Sequence, residues 1–372
     1  MRILYVTTIS LTMNTFFQPH IEMLVNEGHE VDIACNFNDL PLAEGYELLQ
    51  CKKYQIDFSR SPLSFENVKA YGQLKKVIEE GAYDVVHCHT PNASVITRLV
   101  CRKLREHNGV KVFYTAHGFH FYKGAPIKNW IEYYPIELLC SIFTDKLITI
   151  NFEDYAFAKQ RMLAKEVYYI PGVGVDISRM NNTMINVSEK KENLEIPSES
   201  IILLSVGELN QNKNHVTVIK ALAELDNTNI HYIIAGNGNL KNELQELCKE
   251  LNLENRVHLL GYREDVDELY RISDIFVFPS IREGLSVALM EAMASSLPCV
   301  VSKIRGNVDL IDEKGGMLFE PLSIEACKDA IQTIIAQTSK KFGGYNKEKI
   351  KQFSREVVNE KIYRIYVERK EL

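Results

Sequence analysis

Short β-rich apolar runs alternate with amphipathic stretches twice along this chain, and that alternation constrains the fold more than any single motif. Ile3-Leu-Tyr-Val6 leads through a polar loop into an amphipathic stretch from about Asn14 to Glu27, which Gly28 closes before Val31 to Cys35 restarts the strand pattern. The unit recurs. Val85-Val86-His87-Cys88 follows Asp84, and Val112 to Thr115 follows a helical stretch carrying Arg98, Arg102, Lys103 and Arg105. Leu147 to Ile150 comes next, then Val167 to Ile170 just before Pro171-Gly172. Strands and helices in this alternation predict an α/β protein with a parallel, doubly wound sheet. Residues 181–200 are polar, charged and broken by Pro197, so they read as a connector. A second series follows with Ile201 to Val206, Tyr232 to Ala235, Arg256 to Leu260, Ile275 to Pro279 and Cys299 to Ser302, helices such as Leu240 to Leu251 lying between. From Glu356 to Glu371 a last amphipathic helix offers Val357, Ile362, Ile365 and Tyr366 for burial. The expectation is two Rossmann-like doubly wound domains facing across a cleft. They span 1–170 and 171–354, and the 355–372 helix returns to the first.

The 372 residues are 46% hydrophobic and 25% charged, enough for two cores. A net charge of −6, most of it after residue 170, argues against a nucleic-acid partner, which needs a basic stripe. The eight cysteines lie mostly in apolar runs without a CxxC pair, the usage of reduced, buried thiols. The apolar start is too short for a secretion signal and no run reaches membrane-spanning length, so a cytoplasmic protein is expected.

The segment richest in chemistry is Phe278-Pro-Ser-Ile-Arg-Glu283-Gly-Leu-Ser-Val-Ala-Leu-Met-Glu291. A strand ends, a loop presents Glu283, Gly284 permits close backbone approach, and Ser286 can cap a helix. Glu291 then lies about 7.5 Å further along the axis at 1.5 Å per residue. Between the carboxylates the N–H groups of Gly284, Leu285 and Ser286 would form an anion site at a helix N-terminus. Two carboxylates flanking an anion site suit an elongated nucleotide sugar, with hydroxyls, diphosphate and ribose in turn. An E-x7-E spacing alone occurs by chance on many helices; its setting behind a buried strand gives it weight.

These residues resemble the retaining glycosyltransferases of family 4, which have the GT-B fold, and the resemblance covers nearly the whole chain. It implies that Glu283 contacts hydroxyls of the donor sugar and Glu291 holds the ribose. Val206-Gly207-Glu208-Leu209-Asn-Gln-Asn-Lys213 looks like the family's phosphate loop, with Glu208 standing where Arg is usual. Glu208 is therefore expected to turn from the phosphates and pair with Lys213, Arg263, Lys303 or Arg305, or else to face acceptor hydroxyls. Ala235-Gly236-Asn237-Gly238 is similar to the nucleotide-binding loop; an NAD site is disfavoured because the third glycine of GxGxxG is missing. Gly261-Tyr262-Arg263-Glu264-Asp265 resembles the loop near the base, with Asp265 as a plain N-cap the alternative.

Thr115-Ala116-His117 puts His117 at the carboxyl end of a strand, where doubly wound sheets bind ligands, and the resemblance makes it a contact to the donor sugar beside the reacting carbon. His87 and His89 share one face of a buried strand and read as structural rather than as zinc ligands. The aromatic-rich segment from Gly118 to Pro135, with Lys123 and Lys128, resembles transferases that extend undecaprenyl-diphosphate-linked sugars for exopolysaccharide or capsule. It suits a peripheral contact with lipid head groups through residues 98–128, and suits a packing helix with two solvated lysines equally. The resemblance implies metal-independent transfer from a UDP-sugar, without cofactor, to a glycan or lipid-linked sugar, retaining the anomeric configuration. An epimerase or phosphorylase of the same architecture, or a non-catalytic nucleotide-sugar binder, is the alternative, the last resting on Glu208.

Overall fold

A computed structural model of the chain describes residues 1–182, 185–337 and 339–367, with backbone alone for 107, 108, 181, 182, 339 and 340. The chain forms two compact units, Met1–Val173 with Val358–Leu372, and Gly174–Val357.

In the first unit the strands are β1 (Arg2–Ile9), β2 (Glu30–Asn36), β3 (Lys53–Gln55), β4 (Val85–His89), β5 (Lys111–Ala116), β6 (Lys146–Thr149) and β7 (Glu166–Tyr169). They form one parallel sheet in the order β3-β2-β1-β4-β5-β6-β7. Helices cover both faces of such a sheet, which is why β1 and β4 are buried continuously rather than on alternate residues. Strand order reverses between β1 and β4, so chain leaves their carboxyl ends in opposite directions and opens a crevice there.

The structure departs from the sequence expectation in several places. Short β3 is an edge strand whose Lys-Tyr-Gln carries no apolar run. The stretch from Asn14 to Glu27 is two helices, Ser10–Phe16 and Gln18–Asn26, broken at Phe17. Pro19 in the first turn of the second helix lacks the N–H that a continuous helix would need there. The C-terminal helix is Arg355–Tyr366, and the remainder of the expected stretch, from 368, lies outside the described residues. Val358, not Val357, joins Ile362, Ile365 and Tyr366 in burial. Within the first unit this helix is tied down by Lys146 Nζ donating to Ile365 O (2.6 Å) and by the 2.6 Å contact between Tyr366 OH and His87 Nδ1.

The second unit has β8 (Ile201–Val206), β9 (Ile230–Ala235), β10 (Val257–Gly261), β11 (Ile275–Phe278), β12 (Cys299–Ser302) and β13 (Gly316–Phe319). Their order, β10-β9-β8-β11-β12-β13, again reverses once, between β8 and β11. Residues 181–200 are less of a free connector than their polarity suggests. Helix Val187–Asn193 lies within them, capped by Asn186, and Ile196 is buried. Lys190 ties this helix to Asp265 and Glu268. Residues 183 and 184 are outside the described set. All eight cysteines are buried and free.

Candidate functional site

In the second unit, every loop that the sequence singled out leaves the carboxyl edge of its sheet. The Gly207–Lys213 loop follows β8, Gly236–Gly238 follows β9, Tyr262 and Arg263 follow β10, and Glu283–Ser286 follow β11. Glycine is obligatory where these loops touch. A Cβ on Gly236 would lie 1.9 Å from Gly207 O, and one on Gly306 2.2 Å from Gly284 O.

Three asparagines that the sequence reading passed over shape the first loop. Asn210 Oδ1 accepts from Lys213 N (2.9 Å), Asn212 Nδ2 donates to Arg282 O (3.0 Å), and Asn214 Nδ2 donates to Pro279 O (3.2 Å). Ile281 N in turn donates to Asn212 O at 2.8 Å. The loops after β8 and β11 are thereby stitched together. The result is an ion pair, with Lys213 Nζ 2.7 Å from Glu283 Oε1 and both side chains mostly buried, at 19% and 15% exposure. The ammonium also lies 4.6 Å from the Phe278 ring centroid.

Beyond Glu283 the chain enters helix Val287–Ala294, capped by Ser286 Oγ accepting from Leu289 N. The N–H groups of Gly284, Leu285 and Ser286 make no hydrogen bond to other described residues, which leaves them open to an anion. Glu291 lies on the same helix and accepts from Tyr270 OH (3.1 Å). Burial lifts its carboxyl above the ordinary carboxylate range, with the Tyr270 hydrogen bond and Arg179 working against that rise.

Two expectations are corrected. Glu208 pairs with none of the expected cations: it is exposed and accepts from Asn210 Nδ2 at 3.0 Å. Lys213 is taken by Glu283, Lys303 lies 3.7 Å from Glu320, and Arg305 Nε donates to Glu283 O (3.3 Å). Asp265 makes no side-chain cap. Its carboxylate is gripped by both arms of Arg263 (2.7 and 2.5 Å) and by Lys190, which holds it well below the usual carboxylate range. The Arg263 guanidinium is thus engaged within its own loop, whereas Tyr262 is 73% exposed. Asn237 is exposed and Gly238 half-buried at the neighbouring loop.

In the first unit, His117 stands one residue beyond β5 and meets His89, the last residue of β4. His117 Nε2 and His89 Nδ1 are 3.2 Å apart. Phe17 packs on both rings, at centroid distances of 5.6 and 4.2 Å. Burial pushes the His117 imidazole down to about 4, helped by the nearby His20, so the ring is neutral at physiological pH. His87 spends both nitrogens, on Tyr366 OH (2.6 Å) and Thr115 Oγ1 (2.8 Å), and is structural. Among the described residues no group of three or more His, Cys, Asp or Glu is arranged to hold a metal ion.

A cavity of about 240 Å³ opens at the same carboxyl edge, lined by Thr8, Thr12, Arg60, Asn92, His120 and Tyr133 among others. His120 and Tyr133 are stacked at 4.6 Å. Tyr133 belongs to helix Ile127–Ser141, whose aromatics turn inward: Trp130, Tyr133 and Tyr134 pack on the core together with buried Phe121. The opposite side exposes Ile127 (77%), Ile131 (69%), Leu139 and Ile142. The apolar surface here is thus aliphatic, not aromatic as the sequence suggested. Two cations of the 98–128 region are also spent internally. Arg98 is fully buried 2.8 Å from Glu137, and Arg105 forks onto Asp145.

Comparison with known proteins agrees with this geometry. The model of the family described as Glycosyl transferases group 1 matches residues 186–351, and that of Glycosyl transferase 4-like matches residues 2–151. EpsD of Bacillus subtilis, named as a glycosyltransferase, is 38% identical over 86% of this chain and 83% of its own. The Escherichia coli protein named UDP-Gal:alpha-D-GlcNAc-diphosphoundecaprenol alpha-1,3-galactosyltransferase is 28% identical over 83% of this chain and 81% of its own. Anabaena HepE, solved in complex with UDP, superposes with a TM-score of 0.81 at 18% identity, covering 99% of this chain and 100% of that one, a likeness of fold. Two family models in tandem and a relative aligned along most of the chain lead to one conclusion: this chain belongs to the family 4 glycosyltransferases of GT-B fold.

Proposed function

We propose that the chain transfers a sugar from a UDP-sugar to a lipid-linked glycan in surface-polysaccharide synthesis, retaining the anomeric configuration. The observation that carries the donor half is the Lys213–Glu283 pair beside the open amides of Gly284, Leu285 and Ser286. The diphosphate sits against those amides and Lys213, Glu283 accepts from sugar hydroxyls, and Glu291 accepts from the ribose. Gly207, Asn237 and Gly238 let the nucleotide approach backbone, and Tyr262 offers an exposed ring for the base. Arg263, already paired with Asp265, shapes that loop rather than binding the ligand.

The bond from the anomeric carbon to the diphosphate oxygen breaks as the acceptor hydroxyl oxygen bonds to the same face of that carbon. The acceptor proton passes to the departing diphosphate. Negative charge grows on the leaving group, and Lys213 and the helix N-terminus lie where it grows. The cation and the amides supply charge stabilisation without a metal ion, and metal-independent turnover is part of the proposal. His117, neutral, hydrogen-bonds a sugar oxygen.

For the acceptor, the cavity at the carboxyl edge of the first unit joins an exposed cation, Arg60, to the stacked His120 and Tyr133. Aromatic faces suit sugar rings, and a cation suits a diphosphate. The exposed aliphatic ridge of Ile127, Ile131 and Leu139 lies on the helix that supplies Tyr133, as a bilayer-borne acceptor requires. We therefore place the protein at the cytoplasmic face of a membrane. The relatives named for diphosphoundecaprenol acceptors support the same reading. Glu208 does not favour a non-catalytic binder, because it lies outside the Lys213–Glu283 pair.

A panel of nucleotide sugars tests the donor half. The true donor at a hundredfold over its Kd should stabilise the fold by about 2.7 kcal/mol, a shift of a few degrees in Tm, and turn over in EDTA. No shift from any nucleotide sugar would contradict the reading, and turnover restored only by a divalent cation would remove its metal-independent part.

A further inference from the structure

We propose that His89 is a positioning residue that sets the tautomer of His117, so that His117 meets the bound sugar with an Nδ1–H donor. The inference rests on the transferase reading only for what His117 touches; the tautomer itself follows from the first unit alone.

His89 Nδ1 and His117 Nε2 lie 3.2 Å apart, so between two neutral rings one nitrogen donates and the other accepts. The other nitrogen of His89, Nε2, is buried and has no hydrogen-bond partner among the described residues. If His117 were the donor, His89 would accept at Nδ1 and carry its own proton on Nε2, an orphaned N–H inside the protein. If His89 donates, its Nε2 is a bare lone pair. Buried donors without acceptors are the rarer and costlier case. The proton therefore sits on His89 Nδ1, His117 accepts at Nε2, and the His117 proton sits on Nδ1. That nitrogen makes no hydrogen bond to any other described residue.

The His89 ring is held so that it cannot easily turn over. Phe17 and His87 flank it at 4.2 Å each, and Tyr5 stacks on it at 5.2 Å and 25°. His87 is itself fixed at both nitrogens by Tyr366 and Thr115. A rigid neighbour of fixed polarity turns a generic imidazole into a donor of one sense. The ligand atom at His117 must then accept, as the lone pair of a sugar hydroxyl or carbonyl oxygen does.

Isotope-labelled histidine in the full chain, read by long-range proton–nitrogen correlation spectra, separates protonated from bare ring nitrogens. Peaks are assigned with His89→Phe and His117→Ala. The expected spectrum shows His117 protonated at Nδ1 and bare at Nε2; His117 protonated at Nε2 would overturn the proposal. Because this needs no turnover, it stands or falls apart from the assigned reaction. Kinetics add a second readout with two variants of unchanged Tm. His89→Phe keeps the ring stack but loses the donor, and should lower kcat about five- to tenfold, the worth of one neutral hydrogen bond. His89→Asn keeps an N–H near the same place and should recover most of that loss. Equal activity in the two variants would show that the hydrogen bond does not position His117.

Discussion

The sharpest expectation concerns Glu208 and Lys213, one carboxylate and one ammonium on the same loop. Lys213 is mostly buried and paired at 2.7 Å with Glu283, whereas Glu208 is exposed and accepts from Asn210. A carboxylate roughly 5 Å from a donor phosphate would cost about 3 kcal/mol at an effective dielectric near 20, or about a hundredfold in affinity. Exposure moves Glu208 toward the aqueous limit, where the same separation costs about 0.8 kcal/mol, or about fourfold. Glu208→Gln should therefore lower the donor KM by no more than about fourfold and leave kcat alone. Lys213→Ala removes the charge proposed to meet the departing diphosphate and strands Glu283. The loss in kcat/KM should be of the order of a hundred- to a thousandfold. Steady-state kinetics over a range of donor concentrations, with Tm recorded for each variant, measures both. If Glu208→Gln is the more damaging change, Glu208 touches substrate or acceptor directly and the ranking of the site is wrong.

Three other outcomes follow from the structure. Burial lowers His117 and His215 to about 4, so the unfolded chain takes up protons that the native state refuses. Stability should be level above the unfolded value of 6.5 and fall as pH drops toward about 4; a Tm unchanged between about pH 6.5 and 4.5 would contradict those neutral histidines. Arg98→Met should cost about 3–5 kcal/mol in urea unfolding, because it leaves Glu137 buried and unpaired, and a loss under about 1 kcal/mol would refute that. Ile127→Asp with Ile131→Asp should abolish co-sedimentation with anionic vesicles at low salt, and equal binding by the wild type and the variant would put the lipid contact elsewhere.

The sequence displayed the parts of the site that local pattern encodes. Gly236, Gly284 and Ser286 each follow a buried strand, and the physics of a close backbone approach or a helix cap leaves a visible mark at such places. What it could not display is pairing over distance. Lys213 and Glu283 meet because β8 and β11 are neighbours at the reversal of strand order, a fact of topology. His89 and His117 had a readable signal that was missed. His89 ends β4 and His117 follows β5, and the register pairs His89 with Thr115, so the two histidines share one edge. The polar connector 181–200 misled for the opposite reason. Its helix is held by Lys190 bridging Asp265 and Glu268, charged contacts that composition reads as solvation. β3 and β13 escaped because a short strand carries too few residues to show a period.

The most direct test of the account is the stereochemistry of the product, followed by proton NMR as the transfer proceeds in EDTA. In the proposed reaction the diphosphate departs from, and the acceptor attacks, the same face of the anomeric carbon. The first-formed product should carry the donor's own anomeric configuration; an inverted product would contradict the mechanism assigned to these residues.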